Sequence, residues 1–185
     1  MSKPEIISEQ TIHKGWINLV RRVIRHPNGD VQTYEIVNPD SHTVNIVAFD
    51  EDDNILLVEL FRFGQNQRAH DLPGGVIEAG ESFIDAARRE LLEETGYAGD
   101  MEEIGSHRIA AEHGVTRHVF LARSCRKVAE VNLDVSERSE GMKLVRVSIE
   151  RFFEILRSGQ MSETGGGFMV MDYLRRVSDN DAFQQ

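Results

Sequence analysis

Short apolar and β-branched runs, set apart by turn-forming residues, dominate the first half of this chain, and the pattern predicts strands. Ile6 to Ile12 and Trp16 to Ile24 read as strands, Pro27-Asn28-Gly29-Asp30 as a hairpin turn, and Val31 to Val37 as the return strand. Together they make a β-rich N-terminal piece, residues 1–39, closed by the linker Asn38-Pro39-Asp40-Ser41; residues 40–185 form the main domain. That domain opens with a second hairpin, His42 to Phe49 and Ile55 to Phe63 around an Asp50 to Asn54 turn. Further strands are expected at Glu103 to Ile109, Thr116 to Ala122 and Met142 to Val147. Two helices follow, Ile149 to Ser158 and Glu163 to Arg176, then a polar tail after Val177. Gly165-Gly166-Gly167 weakens the start of the last helix by up to about 1 kcal/mol per glycine relative to alanine. Strands with few helices between them indicate an α+β fold rather than a regular βαβ series.

Between Ser82 and Gly96 the period changes to that of a helix of about thirteen residues. Ser82 suits the N-cap, with Asp85 three residues on, and Gly96 suits the C-terminal cap. Ile84, Ala87 and Leu91 share a core-facing stripe. Glu90, Glu93 and Glu94, spaced i, i+3, i+4, converge on the neighbouring stripe, where Arg89 can pair with Glu93 and steer it. Like charges this close destabilise a helix by a few tenths of a kcal/mol per pair. A divalent cation removes that penalty, and an all-oxygen ligand set favours Mg²⁺, with Mn²⁺ as a substitute. Glu81 could add a fourth carboxylate, and the side-chain-free Gly74-Gly75 backbone could bring a carbonyl, taken as that of Gly74, to the ion. The competing reading of three glutamates alone is a solvated acidic face; the glycine-led entry, the arginine and the cap in register outweigh it.

A length of 185 residues suits one domain of ordinary size with a small appendage. No apolar run is long enough to span a bilayer, and the first thirty residues hold no secretory apolar stretch. The single cysteine, Cys125, fits a cytoplasmic location and lacks neighbours with metal-ligand spacing. With 31 acidic against 21 basic residues the formal charge is −10, which disfavours nucleic acid and anionic membranes as partners. A small anionic substrate stays open if bound cations invert the local field.

The segment Gly75 to Tyr97 fixes Gly75, Glu81, Arg89, Glu90, Glu93, Glu94 and Gly96 at set spacings. At an average usage of roughly 7% per residue type, chance gives this at about one start in 10⁸. It resembles the Nudix box at every position. The resemblance covers most of residues 42–176 and implies the Nudix α/β/α sandwich with a mixed sheet, here preceded by a small antiparallel β-sheet piece. It implies hydrolysis of a nucleoside diphosphate linked to another moiety, with Glu90 and Glu94 as principal metal ligands, Glu93 assisting, and two or more Mg²⁺ ions.

Leu57 to Arg62, Asp71-Leu72-Pro73-Gly74-Gly75, Ser158-Gly159-Gln160 and the N-terminal β-piece resemble the ADP-ribose pyrophosphatase group. In that group the N-terminal sheet is exchanged across a homodimer. The general base often comes from a loop after the box: Glu140 stands in the matching place, with Glu137 as fallback. Arg62 could hold a phosphate bidentately or form a surface salt bridge. Glu112 and His113 could reach substrate from their loop. Trp16 could stack on a nucleobase across a dimer, although packing in the N-terminal sheet is the plainer expectation. One departure is the absence of proline in Ala110 to Thr116, where the ADP-ribose enzymes usually carry one. The resemblance therefore implies the nucleoside diphosphate sugar class, ADP-ribose or ADP-glucose among them, before a specific ADP-ribose enzyme. The alternatives are a housecleaning hydrolase of modified nucleoside triphosphates and a non-catalytic nucleotide-binding protein.

Overall fold

The strands expected from period-two patterning form two separate sheets in the computed structural model of the chain, which describes residues 2–182. β1 (Glu5–His13), β2 (Leu19–Arg25) and β3 (Val31–Val37) make an antiparallel three-stranded sheet in that order. The β2–β3 turn closes by a 2.7 Å bond from the His26 N–H to the Asp30 carbonyl, with Gly29 at φ 92°. The β1–β2 register pairs His13 with Leu19, so residues 14–18 become the connection instead of the head of β2. Trp16 therefore stands on that connection, 87% exposed, and does not pack in the sheet as expected. The segment up to His42 and Arg108–Thr116 form one compact unit; Thr43–His107 and the chain from Arg117 form another.

The larger sheet contains β4 (His42–Asp50), β5 (Ile55–Arg62), β6 (Gln67–Asp71), β7 (Tyr97–Arg108), β8 (Thr116–Lys127) and β9 (Lys143–Val147). Its order is β6-β5-β4-β8-β7, with β9 paired antiparallel to β5. The helices are α1 (Phe83–Thr95), α2 (Val135–Ser139), α3 (Ile149–Ser158) and α4 (Gly165–Ala182). Alternation sorts the strand residues onto two faces. Val44, Ile46, Leu56 and Phe120 pack with Ala86, Ala87 and Leu91 of α1. Their neighbours Val47, Ile55, Leu57 and Leu121 pack with Phe152 and Ile155 of α3 and Val170 of α4. Helices thus cover both faces, and strands buried on both sides read as unbroken apolar runs, as Ile55-Leu56-Leu57-Val58 does.

Several boundaries differ from expectation. β6 has one apolar residue, Ala69, in Gln-Arg-Ala-His-Asp and gives no strand signal; its pairing with β5 makes it a strand. β7 begins at Tyr97 and β8 runs to Lys127, both longer than expected. α4 starts at Gly165 because the Glu163 carboxylate stays outside and accepts from the Gly165 N–H at 2.5 Å. With no glycine or proline after Gly167, α4 continues to Ala182 where a tail was expected; residues 183–185 lie outside the described residues. The glycines that weaken α4 let it pack: a Cβ on Gly167 would press on Phe152 and Leu156 at 2.9 and 3.0 Å.

Candidate active site

The box folds as its pattern requires. Ser82 caps α1 by accepting from the Asp85 N–H, and Gly96 closes it in the left-handed region at φ 77°. Ala87 and Leu91 are buried, Ile84 is half-buried against the same cluster, and the helix is pinned to the sheet by this face. Glu90 and Glu94, one turn apart, are buried beside that stripe at 7% and 3% exposure. Free carboxylates so deeply buried need a compensating charge or hydrogen bonds.

The entry loop lies against both. Val44 and Ile46 of β4 donate to the carbonyls of Gly75 and Pro73, each at 2.9 Å. Gly74, between them, turns its N–H the other way and donates to Glu94 Oε2 at 2.9 Å. Glycine is required here: at φ 155° a Cβ on Gly74 would overlap the Val44 carbonyl oxygen, and one on Gly75 would overlap the Glu90 carboxylate. Gly74→Ala is expected to destabilise the protein by roughly 2 kcal/mol, because the obstruction is backbone that cannot swing aside. A denaturation midpoint equal to that of the parent protein would contradict this.

A third carboxylate arrives from far along the chain. The segment after β8 is tied to the end of α1: Val128 and Ala129 donate to the Gly96 carbonyl at 2.9 and 3.1 Å, and Asn132 to the Glu93 carbonyl at 2.8 Å. Its other end joins β5 through the Phe61 N–H to the Glu140 carbonyl at 2.9 Å. Between the tethers α2 points Glu137 at α1, and oxygens of Glu90, Glu94 and Glu137 lie within 4.8 Å of one another. This is a cluster that could hold a metal ion, and its all-oxygen donors suit a hard divalent cation.

The other sequence candidates occupy different places. Arg89 is a hub: it grips Glu81 with two 2.9 Å bonds and reaches Glu90 at 2.9 Å, Glu93 at 3.2 Å and the Val76 carbonyl at 3.1 Å. Glu81 and Glu93 are thus engaged by arginine, and these carboxylates hold the Arg89 guanidinium still more firmly protonated than usual. Arg62 donates through Nε and Nη2 to the buried Asp71, while its Nη1 stands 3.5 Å from Glu140. Its fork is therefore turned to Asp71, a partner the sequence did not single out. In the N-terminal unit, Glu112 is exposed, its carbonyl accepting from Val37, and His113 is half-buried.

Burial raises the pKa of Glu90, Glu94 and Glu137, Glu94 furthest, with repulsion from neighbouring carboxylates adding to it. Raised folded-state values mean the fold binds more protons than the unfolded chain. The contribution of these groups is fully present below the unfolded value of about 4.3 and is lost as pH rises through the raised values. Without metal, Glu94→Gln should therefore gain thermal stability relative to the parent protein as pH rises from about 5 to about 8. A difference in Tm that stays flat over that interval would contradict the burial argument.

A family model described as "NUDIX domain" matches residues 40–159. An ADP-ribose pyrophosphatase of Mycobacterium tuberculosis (strain ATCC 25618 / H37Rv) is 40% identical over 94 residues, 50% of this chain and 45% of its own. An ADP-ribose pyrophosphatase of Bacillus subtilis (strain 168) is 27% identical over 174 residues, 92% and 91% of the two chains. The chain spans about half the length of several curated relatives it matches. A solved structure described as an ADP compounds hydrolase has the same fold, with a TM-score of 0.80, 22% identity and coverage of 95% and 96% of the two chains. Among the described residues no helix is long and apolar enough to cross a membrane.

Proposed function

The chain belongs to the Nudix family, and on that premise we propose that it is a Mg²⁺-dependent pyrophosphatase of nucleoside diphosphate sugars. Water is added across the P–O–P link, giving a nucleoside monophosphate and a sugar phosphate. The observation that carries this reading is the convergence of Glu90, Glu94 and Glu137 beside the Gly74 backbone. The names of the relatives favour ADP-ribose among such substrates.

In this reading Glu90 and Glu94 would hold two or more divalent cations, with the Gly74 carbonyl as a further candidate ligand. Bound there, the cations would neutralise phosphate charge and make the attacking water more acidic. Mn²⁺, with similar oxygen preference, substitutes. Glu137, whose carboxyl burial keeps unusually basic, accepts the water's proton. Of the two loop glutamates, Glu137 takes this role because it joins the cluster, whereas Glu140 faces Arg62. Arg89 fixes the orientation of Glu90 and Glu93, so Glu93 assists without being the base. Arg62 supplies positive charge for a substrate phosphate, anchored by Asp71.

The proposal extends to a homodimer through the N-terminal sheet, with Trp16 of one chain stacking across the dimer on the base bound by its partner. Its support is β1, an edge strand exposed along all nine residues, and the exposure of Ile6, Ile7 and Ile12 at 53%, 43% and 41%. Light scattering at tens of micromolar should give twice the chain mass; a monomer would remove this part. The activity is tested by incubating the protein with Mg²⁺ and ADP-ribose, ADP-glucose, GDP-mannose, UDP-glucose or 8-oxo-dGTP, with products weighed by mass spectrometry. Nucleoside monophosphate and sugar phosphate from the sugar conjugates are expected. Turnover of the triphosphate alone would assign the chain to triphosphate housecleaning instead.

A further inference from the structure

We infer that Asp134 is a positioning residue for the proposed base: its capping of α2 aims Glu137 at Glu90 and Glu94. This rests on the role proposed for Glu137 and goes beyond it. α2 has five residues, too few to hold a conformation by its own hydrogen bonds, and none of its residues is buried. Something else must fix where Glu137 points. A reciprocal cap acts directly on its side chain. Asp134 Oδ1 accepts from the Glu137 N–H at 2.8 Å, and the Glu137 carboxylate accepts in return from the Asp134 N–H at 2.5 Å. Ser136 Oγ donates to the same Asp134 oxygen at 2.8 Å.

The reciprocal pair differs from an ordinary capping box, in which the glutamate serves only the helix. Here one carboxylate does two things: one oxygen, Oε2, satisfies the Asp134 N–H, and the carboxylate also lies in the cluster with Glu90 and Glu94. The Asp134 backbone is held in turn by its predecessor: Leu133 packs against Val58, Leu60 and Met142. Asn132 is tied to the Glu93 carbonyl at the end of α1. The chain from Asn132 to Glu137 is therefore a strut that starts on the helix carrying Glu90 and Glu94 and ends on the carboxylate facing them. Asp134 is the joint at which the strut turns.

Asp134→Ala removes the acceptor and leaves the Glu137 side chain intact. It should lower kcat roughly tenfold, the population shift expected from loss of an N-cap, with KM unchanged. Amide exchange of residues 135–140 in the metal-free protein should quicken. Asp134→Asn, an equally good cap, should restore both. A merely structural role would not make the kcat loss depend on Glu137, so the deciding variant is the double one. In a Glu137→Gln background, Asp134→Ala should cost no further kcat. A full-size additional loss there, or unchanged kcat in Asp134→Ala despite faster exchange, overturns the inference about Asp134 alone. Unchanged kcat in Glu137→Gln itself overturns the proposed base, and this inference with it.

Discussion

Glu94→Gln and Glu90→Gln are each expected to lower kcat by roughly a thousandfold or more while leaving the fold intact. Glutamine is nearly isosteric, and its carbonyl oxygen can still accept from the Gly74 N–H that Glu94 now binds at 2.9 Å. What disappears is one negative charge from a trio in which Glu90 and Glu94 are buried. Metal-free, that loss relieves repulsion and desolvation, so the variants should melt no lower than the parent protein. Loaded, the lost charge weakens ion binding, and an added divalent cation should raise Tm less than in the parent. The pairing of unharmed stability with lost turnover separates a ligand from a packing residue. Near-normal turnover in either variant would sink the ligand assignment.

The second large effect concerns the two loop glutamates. Glu137→Gln should lower kcat by about 10² to 10⁴, the range for loss of a general base, with a far smaller effect from Glu140→Gln. The difference follows from geometry. The Glu137 carboxylate shares a 4.8 Å cluster with Glu90 and Glu94, whereas the Glu140 carboxylate stands 3.5 Å from Arg62 and its carbonyl is bound to Phe61. Losing Glu140 frees Arg62 from one partner and should show in KM before kcat. The reverse ranking would return the role to Glu140.

Local chemistry carries the box into structure because it is local: cap, stripe, glutamate spacing and closing glycine all sit within fifteen residues, from Ser82 to Gly96. The hairpins at Pro27 to Asp30 and Asp50 to Asn54 are legible for the same reason. In the second, Asp50 Oδ1 accepts from both the Asp52 and Asn54 N–H groups at 2.9 Å. β6 is not legible, since its strand conformation is imposed by β5 and by no residue preference of its own. Trp16 misled because a large aromatic in a β-branched run suggests burial, while the β1–β2 register excludes it from the sheet.

Glu137 lies between these cases. Asp134-Val-Ser-Glu137 has capping-box spacing, a signal in plain view that marks α2. What no spacing conveys is the tether from Asn132 to Glu93, which carries that helix onto α1. Asp71 is the opposite example: nothing about an aspartate before Leu-Pro-Gly-Gly announces that it will be buried and hold the Arg62 fork. Long-range placement, rather than residue type, separated the candidates that converge from those that do not.

The most direct test of the account is anomalous diffraction from crystals soaked with Mn²⁺ and a non-hydrolysable ADP-ribose analogue. Manganese peaks are expected roughly 2 Å from carboxylate oxygens of Glu90 and Glu94, with Glu137 facing them and the analogue's pyrophosphate against the ions. Manganese seated instead among Glu81 and Glu93, or absent from the site at saturating concentration, would contradict it.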